Sequence, residues 1–417
     1  MAEGQGDALE VVRPKALIDP VGRRVLEGVE LVVTDGRVAL VRPATAAAAT
    51  EIDGYLLPGF IDCHVHLMGV EARTQAEQLL MDPLEGVLET VEAGMRMLRA
   101  GFTTVRDVGS LYAPPLARAI RRGYAQGPRI VFAAAVLSQT GGHGDHHALP
   151  LDLLSHPALN LFSRLCDGPD DCRKAVREQL RRGAGVIKIC TTGGVWSERD
   201  LPTETQFTLD EVRAIVDEAG RVGRKVAAHA QGTDGIRLAL DGGVASIEHG
   251  YYLTEELADR MARSGVFLVP TLTIGSAVAE DGRRGKLPAF GIEKSLAKWD
   301  RQLESFRLAV ARGVPIALGT DVSSGEATPP GLNGHEFVLM TRFGMPAWEA
   351  IRAGTVRAAE LLALEGVGSL SPGSFADMVA VADDPLSHPE TLERPFFVAK
   401  AGRVVTSDGA RVAAAAG

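Results

Sequence analysis

Cysteine is scarce in this chain: Cys63, Cys166, Cys172 and Cys190 are four in 417 residues, too few and too scattered for a disulfide framework. Cys166 and Cys172 would bridge only in an oxidising compartment, so reduced thiols are expected. No Lys/Arg-rich stretch interrupts a net charge of −9, which argues against a phosphate-backbone partner and therefore against nucleic-acid binding. No uncharged run is long enough to span a bilayer, and MAEGQGDALEVVRPKAL places acids early with no continuous apolar segment. That opening does not read as a signal peptide, so a cytoplasmic enzyme with no membrane partner is expected. With 46% hydrophobic and 23% charged residues, the chain can bury one large domain and a smaller module.

Residues from Val11 to Leu57 are rich in β-branched side chains, and Asp35-Gly36 between GVELVVT and RVALV is a hairpin signal. FADMVAVA, PFFVAKAG and RVVTSDG repeat that character from Ser371 onward. Neither end buries both faces of a sheet alone, so 1–57 and 370–417 are expected to form one composite β-sandwich module. Between them, eight short apolar runs alternate with helical stretches: GFIDCHVHL, TTVRDVG, RIVFAAAVLS, GVIKIC, KVAAHA, VASIEHG, VFLVPTL and VPIALGTD. Thr208 with Glu211 has the capping-box spacing, and Gly101 closes a helix beginning near Leu84. Eight βα repeats predict an α/β fold, a (β/α)8 TIM barrel over 58–369, in preference to an open doubly wound sheet. Leu149 to Cys172 reads as an inserted loop, and TAAAAT near Thr45 as a low-complexity turn.

In such a barrel, chemistry sits at the C-terminal ends of the strands. His64 and His66 end the first, two residues apart, so both rings face one side and can grip one cation. Such a pair in an arbitrary strand is more often merely polar, but other strand ends add Lys188, His229, His249 and Asp321. Lys188 lies inside the apolar run GVIKIC, where an ammonium is costly to desolvate. It is either a buried lysine paired with a carboxylate, or a neutral amine that has taken up carbon dioxide to become a carbamate bridging two cations. His229 and His249 offer neutral nitrogen to a second cation, zinc or a similar metal. Asp321 reads as a ligand of the first cation and as general base, or as a helix N-cap. The glycine-rich GGHGDHH presents His143, which is expected to act on the substrate, beside Asp145, His146 and His147; Tyr251 and Tyr252 follow His249 and are candidates to line the pocket. His156, His335, Glu336 and His388 earn no role.

LLPGFIDCHVHL, the lysine of the fourth strand, HA after the fifth, IEHG after the sixth, GTD at the eighth and SPGSFADMVAV together resemble the amidohydrolase superfamily over nearly the whole chain. SQTGGHGD, IKICTTGGVWSERD, HAQGTDGI and SIEHGYYL resemble its prolidase-like branch, whose members cleave dipeptides or N-acyl amino acids and which includes ochratoxin-hydrolysing amidohydrolases. The resemblance implies that His64, His66, Lys188 and Asp321 hold one metal, and that a carboxylated Lys188, His229 and His249 hold the other. A hydroxide bridging the two would attack the amide, with Asp321 moving its proton. The expected substrate is a small dipeptide or N-acyl amino acid, with ochratoxin A within that range, and Arg177 and Arg199 are candidate partners for its carboxylate. A homo-oligomer is expected of such a barrel. The rival reading is a mononuclear deaminase or cyclic-amide hydrolase of the same superfamily. Lys188 speaks against it, as does Gln231 where such deaminases often place a glutamate. A barrel retained as a non-enzymatic scaffold is disfavoured by the full ligand set.

Overall fold

Asp35 and Gly36 form the predicted hairpin turn, both at positive φ (51° and 72°), with Thr34 opposite Arg37. The computed structural model describes residues 8–68, 82–145, 147, 149–154, 162–195, 197, 199–285, 289–323 and 325–413. The chain divides into Met1–Asp62, Met95–Thr104 and Gly331–Gly417 as one unit, and Cys63–Gly94 with Val105–Pro330 as another.

In the first unit both termini contribute to a single nine-stranded sheet. Its path runs Arg403–Ser407, Phe397–Lys400, Met378–Val381, Thr50–Pro58, Val11–Asp19, Val29–Thr34, Arg37–Pro43, with Arg24–Glu27 and Val412–Ala413 attached beside it. Val11–Asp19 and Thr50–Pro58 pair parallel, whereas the other neighbours pair antiparallel. Val12, Leu31, Ile52, Leu56, Met378 and Phe397 pack as its core. The TAAAAT segment has a structural task. Thr45 donates to buried Glu30 from both N–H and Oγ1, and Arg13 reaches the carbonyls of Thr45 and Ala47.

In the second unit, Val136–Ser138, Val186–Cys190, Lys225–Ala230, Ser246–His249 and Phe267–Val269 lie side by side in that order, all parallel. These runs are apolar because nearly every position is buried. In the same unit, 63–65, 105–107 and Arg129–Phe132 lie in a three-stranded sheet, in that order. The eighth predicted strand is present only as bridged backbone. Leu268 N donates to Pro315 O at 2.9 Å and Ala317 N to Leu268 O at 3.0 Å, while on the other side Cys63 N donates to Leu318 O and His66 N to Val322 O. The inserted-loop reading of 149–172 is corrected where the segment is described. Ser163–Leu165 pairs parallel with Val136–Ser138, and a helix starts at Pro169. Three residues of strand are too few to carry a legible period. The Thr208/Glu211 capping box forms as expected at the start of Leu209–Gly220.

All four cysteines are free and buried. Among the described residues no helix is long and apolar enough to cross a membrane.

Candidate active site

His64 and His66 leave the end of the Phe60–Val65 strand with ring centroids 5.4 Å apart. Strand pairing brings Asp321 to them. Its N–H donates to His64 O at 2.7 Å, and its Oδ1 lies 3.5 Å from His64 Nε2 and 3.2 Å from His66 Nε2. One ligand atom from each of the three falls within 4.8 Å of the others, a spacing that suits a single cation. Three further imidazoles continue the cluster. His249 is 5.1 Å from His64, His229 is 4.6 Å from His249, and His143 stacks on His229 at 4.2 Å. Lys188 lines the same cavity. Side chains from 64 to 321 therefore meet in one place.

Each ring is held by one nitrogen. His64 Nδ1 bonds Glu248 Oε2 at 2.7 Å, His66 Nδ1 bonds Gly109 O at 2.9 Å, and His249 Nδ1 pairs with Thr271 Oγ1 at 2.7 Å. His229 uses the opposite atom, Nε2, toward Gly193 O at 3.0 Å. Fixing one nitrogen sets the tautomer and aims the other, which is how metal-binding histidines are prepared. Glu248 is held in turn by Arg106, whose Nη2 donates to both carboxylate oxygens at 2.8 and 2.9 Å, and by Ser246 Oγ at 2.5 Å. Sequence reading missed Glu248 and Arg106. The adjacency of Glu248 to His249 in SIEHG was visible, but its partner Arg106 is 142 positions away.

His249, Thr271 and Asp321 have φ of 71°, 52° and 59°. Non-glycine residues in this region carry strain, which collects where a side chain must be aimed. Asp321 is not a helix N-cap: the next helical turn is the 3-10 segment Leu332–Gly334, and its oxygen faces the two histidines instead.

His143 closes a ring of hydrogen bonds. Its backbone N–H donates to Gln206 Oε1 at 2.9 Å, Gln206 Nε2 donates to Asp200 Oδ2 at 2.9 Å, Ser197 Oγ donates to Asp200 Oδ1, and His143 Nδ1 bonds Ser197 Oγ at 2.9 Å. Because the Ser197 hydroxyl proton goes to the carboxylate, Ser197 accepts from Nδ1–H, and Nε2 is the ring nitrogen left to face a ligand. His146 and His156 lie outside the described residues. His335 and His388 pair with Glu393 and Glu390.

Val136, Phe162, Val195, Ile274 and Val278 also line the cavity, so a few polar groups stand in a largely apolar wall, as in a small-molecule site. Tyr251 lines it; Tyr252 does not, and its backbone instead bonds Gln231 and Thr233. Arg177 is also displaced from its expected place. It forms a two-pronged pair with Glu218 at 2.7 and 3.1 Å, its side chain 61% exposed. Arg199 is exposed and absent from the lining. Lys298, Trp299 and Gln302 from the Ala289–Ala311 helix line the pocket, unforeseen because they lie on a helix between the runs VFLVPTL and VPIALGTD and not at a strand end.

Burial pushes His64 and His229 well below the ordinary histidine range and His249 and His143 to about 4, in each case as the largest influence. Burial likewise lowers Lys188, opposed by Glu248 and Asp321. On Asp321 burial acts upward, but His64, His66 and His249 outweigh it and hold the carboxyl below its usual range. On His66 burial also acts downward, but its bond to Asp321 and the nearby carboxylates outweigh it and raise that ring; the other imidazoles, unprotonated beside an ionised carboxylate, are donors of the kind a divalent cation requires.

A profile of the amidohydrolase family matches residues 55–407. The ochratoxinase of Aspergillus niger is 32% identical over 94% of this chain and 86% of its own length. Its crystal structure superposes with a TM-score of 0.87 at 31% identity, covering 96% of each chain. A prolidase solved with N-methylphosphonate-L-proline is 32% identical, with a TM-score of 0.87 over 96% of this chain and all (100%) of that one. Such neighbours imply a TIM-barrel fold of the α/β class.

Proposed function

Because this chain belongs to the amidohydrolase family, in the branch of ochratoxinase and prolidases, and is a hydrolytic enzyme acting on C–N bonds, we propose that it cleaves dipeptides or N-acyl amino acids with two divalent cations, zinc by preference. His64, His66 and Asp321 would hold the first and His229 and His249 the second, with Lys188, as a carbamate, shared by both. The donor set suits these ions: imidazoles, each with one nitrogen anchored, beside one ionised carboxylate. Lowering of the Lys188 pKa by burial favours the free amine that carbon dioxide needs for attack, the amine losing a proton as the N–C bond forms. When bound, the cations supply an acidified water and a polarised carbonyl.

The chain's own residues do the remaining work. Asp321 accepts the proton of the attacking water and returns it to the leaving amine. His143 contacts substrate through Nε2, steadied by Ser197, Asp200 and Gln206. Tyr251, 5.8 Å from His249 between ring centroids, lines the wall beside it. The reading includes a closed eight-membered barrel over 58–369, supported by the backbone bonds that flank 315–322 on both sides. It also includes a composite β module from 1–57 and 370–417, supported by the shared sheet. The likeness to ochratoxinase extends the substrate range to ochratoxin A.

The observation that carries this reading is the convergence of five imidazoles, Lys188 and Asp321 on one cavity. The test is hydrolysis of a panel of N-acyl amino acids, Xaa-Pro and other dipeptides and ochratoxin A by zinc-loaded enzyme. Turnover that a chelator abolishes and zinc restores is expected. No turnover across the panel, or turnover indifferent to chelation, contradicts it.

A further inference from the structure

Lys298 lies in the wall of the active-site cavity, 5% exposed, on a helix that carries none of the residues assigned above. Its position is set by Gln302, one helical turn later on the same face. Gln302 Nε2 donates to Pro270 O at 2.7 Å and to Thr271 O at 3.2 Å, and Thr271 Oγ1 is the group that orients His249. The helix is thus fastened to the loop that aims a proposed metal ligand, and Lys298 stands at a fixed reach from it. The fastening is close: a Cβ added at Gly275 would fall 1.9 Å from Gln302 Oε1.

The charge of Lys298 is felt inside the site, where it acts on His143. Among the described residues lining the cavity Asp321 is the one acid, and it faces His64 and His66. In the wall of the same cavity, Ile274 and Val278 of the Leu272–Arg283 helix meet Val195 in an apolar cluster. A cavity with a buried ammonium at one point and an aliphatic cluster elsewhere in its wall favours an anion carrying an apolar group, because the arriving anion offsets the desolvation of the ammonium.

We propose that Lys298 binds the free carboxylate of the substrate, restricting the enzyme to amides of amino acids with an unblocked C-terminus and an apolar side chain. This rests on the amide-hydrolase reading above, and it gives Lys298 the part expected of Arg177 and Arg199.

The test compares zinc-loaded wild type and Lys298→Met on N-acetyl-L-phenylalanine and N-acetyl-L-phenylalaninamide, following loss of the acetyl group. Wild type prefers the acid. In the variant kcat/KM for the acid falls about 10- to 100-fold, mainly through KM, as loss of a charged hydrogen bond predicts. The amide stays within about threefold. Lys298→Arg, which keeps the charge, retains part of the preference, and Lys298→Gln repeats the Met result if that variant is poorly folded. Equal losses on acid and amide, or no loss on either, overturn the assignment while leaving amide hydrolysis intact. Wild type that cleaves neither of these nor any member of the wider panel overturns both readings.

Discussion

At the scale of single residues, the histidines are the easy part and their supports the hard part. His64 and His66 were legible because strand spacing puts alternate residues on one side, and Lys188 because an ammonium inside GVIKIC demands an explanation. Glu248 passed unread, since a glutamate next to a histidine signals nothing until Arg106 is seen to hold it. The structure gives Glu248 two duties, fixing His64 Nδ1 and neutralising a guanidinium only 2% exposed. Glu248→Gln should weaken zinc binding about 10- to 100-fold, measured by competition with a chromogenic chelator. It should also lower stability by about 3–5 kcal/mol, because Arg106 is left buried without its counter-charge. Unchanged zinc affinity would show that His64 needs no such support.

Glu30 offers a residue-level test of a different kind. Its hydrogen bond from Arg13 leads the influences that hold the carboxyl near 2 instead of 4.5. A depressed folded-state value means that the ionised form stabilises the fold above the unfolded value, and that this contribution is lost as pH falls through 4.5 toward 2. Glu30→Gln should therefore lower Tm most at neutral pH, with the difference from wild type closing below about pH 4.5. A Tm difference independent of pH between 7 and 3 would contradict this account of the Arg13–Glu30–Arg42 cluster.

Among the elements, those with local chemistry were readable and those made by distant pairing were not. The Asp35-Gly36 turn and the Thr208/Glu211 cap carry their instructions within four residues. VPIALGTD was read as a full strand, yet it forms isolated bridges, because its hydrogen-bonding neighbours at Cys63–His66 and Leu268 are set by packing, not by its own pattern. Ser163–Leu165 and the pocket-lining stretch of Ala289–Ala311 gave no signal for the same reason. The contact between the helices Leu272–Arg283 and Ala289–Ala311 can be tested at Gly275. An alanine in a helix ordinarily gains up to about 1 kcal/mol over glycine. Here the Cβ would meet Gln302 Oε1 at 1.9 Å, and that side chain is pinned by its two bonds to Pro270 and Thr271. The clash should win, costing about 1–3 kcal/mol in stability and raising KM more than it lowers kcat. Improved stability with unaltered KM would mean that Gln302 moves aside without consequence.

For the whole molecule, the fold's contribution is convergence. His64, Lys188, His229, His249 and Asp321 come from five separate segments, and parallel pairing in register sets their strand ends side by side. Their list was legible because four of them fall at the end of an apolar run and Lys188 stands inside one. The architecture behind them, with anchored ring nitrogens and strained backbone at His249, Thr271 and Asp321, required coordinates. Together they define the cavity for which a pair of cations joined through Lys188 is proposed. Anomalous diffraction from crystals of the zinc-loaded enzyme tests that proposal directly. Two peaks about 3.5–4 Å apart, one beside His64, His66 and Asp321 and one beside His229 and His249, with density for a carboxylated Lys188 between them, are predicted. A single peak, or a bare Lys188 ammonium turned away from both, would contradict the account.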